Sequence, residues 1–313
     1  MSARWRPPLV AVVGPTGTGK SDLGIALAQR LGGEVVNADA LQLYRGLDIG
    51  TAKVPPQERG GVPHHLLDVL DIHQEASVAA FQREARRIVR EITDRGRVPV
   101  LVGGSGLYVR AVVDDIEFPG TDPAVRAARE EQLRERGRGQ LLAELAAVDP
   151  ESAARVKDDR RLVRALEVHD VTGRPFTSFM PRRRYVVPTV QVGLHMDREV
   201  LNDRLANRVD IMLERGWLDE VRELAAVGLR ESPTAGKALG YPQLLAVLDG
   251  RSTLAQAREE TVVATRRFTK RQRTWFGADP RVHWLHAGDA AGPDAVVDRA
   301  VRLVRAQYDD AHE

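Results

Sequence analysis

The chain has 313 residues, 43% of them apolar, enough for about two domains with a sizeable core. It contains no cysteine, which excludes disulfides, thiolate zinc sites and cysteine nucleophiles and leaves oxygen-liganded Mg2+ as the best-suited metal. The net charge of +2 is nearly neutral, no apolar run is long enough to span a bilayer, and Met1 to Pro8 lacks the apolar core of a signal peptide, so a cytoplasmic protein with no membrane partner is expected.

The first predicted element is a strand at Leu9–Val13. It runs into Gly14-Pro15-Thr16-Gly17-Thr18-Gly19-Lys20-Ser21, which satisfies the pattern G-x-x-x-x-G-K-[ST]. Glycines let successive backbone N–H groups curl around an anion, the following helix adds its positive end, Lys20 adds a point charge and the Ser21 hydroxyl suits Mg2+. Leu23, Ile25, Ala26, Leu27 and Leu31 form the buried face of that helix, and Gly32-Gly33 stops it. This is the phosphate cradle of a nucleotide-binding, ATP-binding type of fold, and the motif leaves open which phosphate it holds.

Glu34 to Asp39 reads as a second strand delivering Asp39 near the cradle. Val78 to Arg95 reads as an amphipathic crossover helix with Phe81, Ala85, Ile88, Val89 and Ile92 inward, and Val98–Val102 as a third strand running into Gly103-Gly104-Ser105-Gly106. Ligands of open α/β sheets bind at the carboxyl ends of strands, so these loops are expected to share one site. No carboxylate follows the strand at 98–102, so no hydrolytic Walker B is evident there. Asp39 either takes that role, caps a helix, or serves an acceptor together with Ala40, Leu41 and Gln42, whose amide suits reading a base or sugar. His64 and His65 point to opposite sides of an extended chain, which favours a structural role over a metal pair.

From Phe118 to Tyr185 strand signals vanish, charge density climbs, and Leu133, Leu141, Leu142, Leu145, Leu162 and Leu166 recur at helical spacing. A helical insertion over residues 118–186 is expected within an α/β core formed by 1–117 and 187–313. Within it Glu151, Asp158 and Asp159 read as solvated helix-end charges. Two basic groups lie there, Arg155, Lys157, Arg160, Arg161 and Arg164, and Arg182, Arg183 and Arg184, both candidate phosphate contacts.

A strand returns at Thr189–Met196, followed by a helix that Asp197 is placed to cap. On that helix Arg204 and Arg208 share a stripe, either an anion clamp or a salt-bridged face with Asp203, Asp210 and Glu214. Helices follow at 217–226, at 241–249 and at 254–275, the last opened by a Thr253…Gln256 capping box. Near its end Arg266 with Lys270, and Arg267 with Arg271, repeat like charges at i,i+4, an arrangement that a polyanion answers; Arg273 extends the cluster. Phe268, Trp275 and Phe276 read as core or as base-stacking groups. A last strand at Val282–Leu285 precedes a helix from Ala295 to Ala306, with fraying expected beyond Tyr308.

Taken together, the Gly14–Ser21 loop, Asp39-Ala40-Leu41-Gln42, the Tyr44–Lys53 block, Pro63-His64-His65-Leu66-Leu67-Asp68, Gly103–Tyr108, Arg161–Val168, Gly240-Tyr241 and Lys270–Trp275 closely resemble the bacterial tRNA dimethylallyltransferases, from about residue 9 to 285. The resemblance implies a P-loop NTPase-like parallel sheet with a helical insertion that grips a tRNA anticodon stem-loop. It also implies transfer of a dimethylallyl group from dimethylallyl diphosphate to N6 of the adenosine just 3′ of the anticodon, releasing pyrophosphate, with Mg2+ on Ser21. Asp39 is then the proton acceptor and Ser105 a contact to the target adenosine, which is extruded from its stack. Lys20, Arg204, Arg208 and the P-loop face the diphosphate, and Ala40, Leu41, Gln42, Arg126, Arg160, Arg161, Leu162, Val163, Arg164, Arg266, Lys270 and Arg273 contact tRNA. Arg160 stands where the family commonly has Gln, and Val163 where it commonly has Ser. A monomer is expected. The rivals are a P-loop small-molecule kinase, an adenylate isopentenyltransferase acting on free nucleotide, and an RNA-binding regulator with a vestigial P-loop.

Overall fold

Short apolar runs build the sheet, and the chain returns to it through helices. The computed structural model describes residues 7–180, 182–288 and 292–309. The readings of Met1–Arg6 and of the last four residues lie outside these. β1 (Leu9–Val13) is buried throughout. α1 (Lys20–Leu31) turns Leu23, Gly24, Leu27 and Ala28 inward and ends on Gly32 at φ 66°, as the Gly32-Gly33 pair predicts. β2 (Glu34–Asn37) stops short of Asp39 because the Asn37 side chain turns the chain out of the sheet: Oδ1 accepts the Asp39 N–H at 2.8 Å, and Nδ2 donates to the carbonyls of Asp39 and Leu66 at 3.0 and 2.9 Å. β3 (His64–His65) follows, a two-residue strand too short to leave a period in the sequence.

α2 (Val78–Asp94) buries the expected Phe81, Ala85, Ile88, Val89 and Ile92 and is capped by Ser77. β4 (Pro99–Val102) leads through Gly103–Ser105 into α3 (Gly106–Val113), a helix beyond those expected from the sequence. Then come α4 (Pro123–Val148), broken at Gly137 where φ is 77°, α5 (Pro150–Arg155) and α6 (Asp159–Thr172). β5 (Thr189–His195), α7 (Arg198–Glu214), α8 (Trp217–Ala226), α9 (Tyr241–Leu248), α10 (Leu254–Gly277), β6 (Val282–His286) and α11 (Pro293–Asp309) complete the chain. The Thr253–Gln256 capping box at the start of α10 is formed. Asp197 does not cap α7 with its side chain; its carboxylate lies 3.5 Å from His286 Nε2 instead.

The chain separates into two compact units, Met1–Val113 with Val187–Glu313, and Asp114–Val186. The inserted unit starts at Asp114 rather than Phe118 because Asp114 bridges Tyr185 and the Asp115 N–H donates to the Arg184 carbonyl at 2.9 Å, drawing its two ends together. Its core is Leu141, Leu145, Leu162, Ala165 and Leu166, with Leu133 and Leu142 partly buried. Asp158 caps α6 by accepting the Arg161 N–H, while Glu151 and Asp159 are ion-paired with Arg155 and Arg138.

In the first unit the sheet is six-stranded and parallel, ordered β3-β2-β4-β1-β5-β6. From β1 the chain crosses over β4 to reach β2; from β4 it passes β1 to reach β5. The carboxyl ends of β1 and β4 are therefore the point where the direction of winding reverses, the place where open α/β sheets form a ligand crevice. The core against β1, β4 and β5 is built by α1 and α11, and a second cluster gathers Tyr44, Leu47, Trp217 and Tyr241. No helix among the described residues is long and apolar enough to cross a membrane.

Candidate active site

The P-loop begins where β1 ends, and its first residue has no alternative to glycine. Gly14 has φ +131°, and a Cβ there would sit 2.4 Å from the Leu194 carbonyl oxygen of the neighbouring strand. Within the loop the Thr18 hydroxyl donates to the Pro15 carbonyl at 2.9 Å, and Lys20 Nζ donates to the same carbonyl at 2.6 Å. Among the described residues the N–H groups of Gly17, Thr18 and Gly19 find no backbone acceptor, and those of Lys20 and Ser21 open α1, where no intrahelical acceptor exists. An anion answers this row of donors.

Two cavities meet at this loop. One, of about 250 Å³, is lined by Thr16, Gly17, Gly19, Lys20, Ser21, Asp22, Asp39, Lys53, Arg204, Arg208 and Arg215, a strongly cationic set. The other, of about 380 Å³, is lined by Ser105, Leu41, Leu205, Val209, Met212, Trp217, Leu239 and Phe268. Thr16, Asp39, Thr51 and Arg208 border both, so Asp39 and Arg208 stand between a place for phosphate and a largely apolar chamber.

Asp39 is held by local backbone geometry. Its Oδ1 accepts the Leu41 N–H at 3.0 Å, a turn rather than a helix cap. Burial pushes its carboxyl above the usual range, against the Leu41 N–H and the charges of Lys20 and Arg208. Burial also lowers Lys20 to about 7, opposed by Asp39 and assisted by Arg208, and lowers Arg208. An anion beside Lys20 and Arg208 favours their charged forms, whereas Asp39 is kept ionisable by those same two cations.

The loop after β4 closes the site. Gly103 sits where a Cβ would be 2.5 Å from the Ala38 backbone, so no Walker B carboxylate fits there. The Ser105 hydroxyl accepts the Ala40 N–H at 3.4 Å, joining this loop to the Asp39 turn. Gln42 reaches the cationic cavity, with its Nε2 donating to the Thr51 carbonyl at 3.1 Å. The Tyr44–Lys53 block is tied down by Glu220 of α8, whose carboxylate accepts the N–H groups of Asp48, Ile49 and Gly50 at 3.0, 2.6 and 3.2 Å and the Tyr241 hydroxyl at 2.7 Å. Lys53 is ion-paired with Asp48 and Asp68. His65 faces Glu34 at 2.7 Å, while the His64 ring lies 2.8 Å from the Val62 carbonyl beside the cationic cavity. This is the divided, supporting arrangement expected of them.

Arg204 and Arg208 do not form a salt-bridged face. Asp210 pairs with Arg258 at 2.7 Å, and neither arginine has an ion pair among the described residues. On α10, Phe276 is buried and Phe268 half-buried under Arg271, while Trp275 is 46% exposed, so the core reading holds for Phe276 alone. Lys270, Arg271 and Arg273 are exposed, and Arg266 donates to the Asn202 carbonyl at 3.3 Å.

In the inserted unit Arg126, Arg160, Arg161, Arg164 and Val163 line one cavity of about 530 Å³. Leu162 does not join them: it is fully buried, because helical spacing puts it on the inward stripe with Leu166, and the expected side-chain contact to tRNA is corrected to a core role. Val163 is 3% exposed and contributes only to the floor. Arg164 also donates to the carbonyls of Pro119 and Gly120, and with Arg126 it flanks the buried carboxylate of Glu167 at 2.9 and 3.4 Å. Burial pushes the Glu167 carboxyl up, but hydrogen bonds from Thr121 and Arg164 outweigh this and hold it below its ordinary range. The orienting role of Glu220 has no sequence signal, since its partners lie in distant segments, and for Glu167 only the i,i+3 pairing with Arg164 is local, its contacts with Thr121, Asp122 and Arg126 being distant.

For a metal, no cluster of three or more His, Asp or Glu side chains among the described residues is disposed to hold an ion alone. The donors at the P-loop are the Ser21 hydroxyl, with Asp22 and Asp39 on the same cavity. That set fits Mg2+ shared with substrate phosphate oxygens.

The family model described as IPP transferase matches residues 42–279. The chain is 80% identical over 302 residues to a tRNA dimethylallyltransferase of Kocuria rhizophila, covering 96% of each, and 59% identical over 294 residues to one from Pseudarthrobacter chlorophenolicus, covering 94% and 97%. Among solved structures it resembles the full-length tRNA isopentenylpyrophosphate transferase of Bacillus halodurans, with a TM-score of 0.72 at 37% identity over 98% of this chain and 100% of that one. It also resembles a eukaryotic dimethylallyltransferase acting on tRNA, with a TM-score of 0.83 at 28% identity over 94% and 77%.

Proposed function

This chain belongs to the IPP transferase family, and we propose that it moves the dimethylallyl group of dimethylallyl diphosphate to N6 of the adenosine 3′ of the anticodon in tRNA. It is a prenyl-transferring, tRNA-modifying enzyme, as its relatives are. The observation that carries the finer reading is the border position of Asp39 and Arg208, between a cationic cavity and an apolar one.

In this reading the diphosphate lies on the free N–H groups of the P-loop, with Lys20, Arg204 and Arg208 taking up the charge that grows on it as the C1–O bond lengthens. The allyl chain extends toward Leu205, Val209 and Met212. The adenine enters beside Ser105 and Asp39. Its N6 lone pair is delocalised into the ring, so attack gains from a carboxylate that accepts the N6 proton as the N6–C1 bond forms; Asp39 receives that proton and pyrophosphate departs. The raised Asp39 pKa makes it a stronger base than an ordinary aspartate. The Ser21 hydroxyl, with Asp22 on the same cavity, would hold Mg2+, which would supply further charge neutralisation for the leaving group. Arg126, Arg160, Arg161, Arg164, Lys270 and Arg273 meet tRNA phosphates. A monomer acting in the cytoplasm, where tRNA is modified, completes this reading.

The test is to incubate the protein with labelled dimethylallyl diphosphate and unmodified tRNA, then read the nucleosides by mass spectrometry. Dimethylallyladenosine at the position 3′ of the anticodon is expected. Label on free AMP or ATP with none on tRNA, or ADP production from ATP without transfer, would overturn the reading.

A further inference from the structure

Gln272 lies on the buried side of α10, 5% exposed, although Arg271 and Arg273 on either side of it are exposed. Its amide is used at both ends. Oε1 accepts the Thr16 N–H of the P-loop at 2.8 Å, and Nε2 donates to the Gly104 carbonyl of the loop after β4 at 2.9 Å. The amide lies so close to Gly104 that a Cβ there would be 2.2 Å from Nε2. One side chain therefore bridges the loop that would hold the leaving group and the loop that carries Ser105, whose hydroxyl in turn accepts from the turn bearing Asp39. The Thr16 N–H is committed to Gln272, while those of Gly17, Thr18 and Gly19 stay free for an anion.

We propose that Gln272 is a positioning residue for prenyl transfer: it fixes the base of the P-loop against the Gly103–Ser105 loop, so that the diphosphate cradle and the acceptor side keep one spacing. Asparagine is a methylene too short to reach both partners. Methionine matches the length but offers neither hydrogen bond. Without the bridge the P-loop backbone has no fixed partner at Thr16, and its free N–H groups no longer converge before the anion arrives. The proposal rests on the prenyl-transfer reading for its kinetic arm and on the P-loop alone for its binding arm.

The experiment uses the full chain as wild type, Gln272→Met and Gln272→Asn. Inorganic pyrophosphate binding is measured by calorimetry, and KM for dimethylallyl diphosphate, KM for an anticodon stem-loop and kcat are measured by transfer. Positioning predicts about tenfold weaker pyrophosphate binding and about tenfold higher donor KM in both variants, with stem-loop KM within about twofold of wild type. A purely structural role would lower the melting temperature and the active fraction with donor KM and pyrophosphate affinity per folded molecule unchanged; that result overturns the proposal. If Gln272→Met does not fold, Gln272→Asn decides by the same criteria. If wild type binds pyrophosphate yet transfers nothing to RNA, the functional reading fails and the binding arm still tests the bridge.

Discussion

At the scale of the residue, Asp39 and Lys20 carry opposite perturbations from one cause, burial, which disfavours the charged form of each. Asp39→Asn keeps the shape and the Leu41 contact but cannot accept a proton. Its kcat is expected to fall about 10²–10⁴-fold while stem-loop affinity, read by filter binding, stays near wild type. In wild type kcat/KM, which reports the free enzyme, should rise with pH as Asp39 ionises, through a midpoint above the ordinary carboxylate range, because the folded-state pKa is raised; the Asn variant should lose that limb. Lys20 behaves in the reverse sense. With a pKa of about 7 it is mostly neutral at pH 8 in the free protein, and an arriving diphosphate restores its charge. Calorimetry in two buffers of different ionisation heat should therefore show that pyrophosphate binding at pH 8 takes up about one proton more in wild type than in Lys20→Met, with little difference at pH 6.

At the scale of the element, helical period separates packing from contact. On α6, Leu162 faces the core of the inserted unit, while Arg160 and Arg161 are exposed. Leu162→Ala is expected to cost about 2–5 kcal/mol in thermal unfolding, through the cavity it leaves. Arg160→Ala should leave the melting temperature unchanged, weaken tRNA binding and lower its salt slope by about 1. A sequence block matched as a unit does not make this distinction, so Leu162 is grouped with its RNA-facing neighbours although its side chain packs inward. The β2 strand shows the same limit. Its apolar residues are legible, but its end is set by the Asn37 amide reaching Leu66, a contact across distant sequence.

At the scale of the whole molecule, the inserted unit enters and leaves at adjacent points, with Asp114 bridged to Tyr185. Replacing Asp114–Val186 by a short glycine linker should leave the first unit folded and able to bind pyrophosphate, with tRNA affinity reduced at least about tenfold and transfer lost. Survival of tRNA modification would remove the insertion from recognition. The phosphate cradle, the inserted helical unit and most strands were determined by sequence, because glycine spacing, apolar period and charge density are local properties that short segments carry by themselves. Tertiary structure decided that Asp39 and Arg208 border two cavities, that Gln272 ties the P-loop to Gly104, and that Glu220 holds the Asp48–Gly50 backbone. Those facts depend on which distant segments the parallel sheet brings together at the carboxyl ends of β1 and β4, and a single chain's local pattern does not encode that distance.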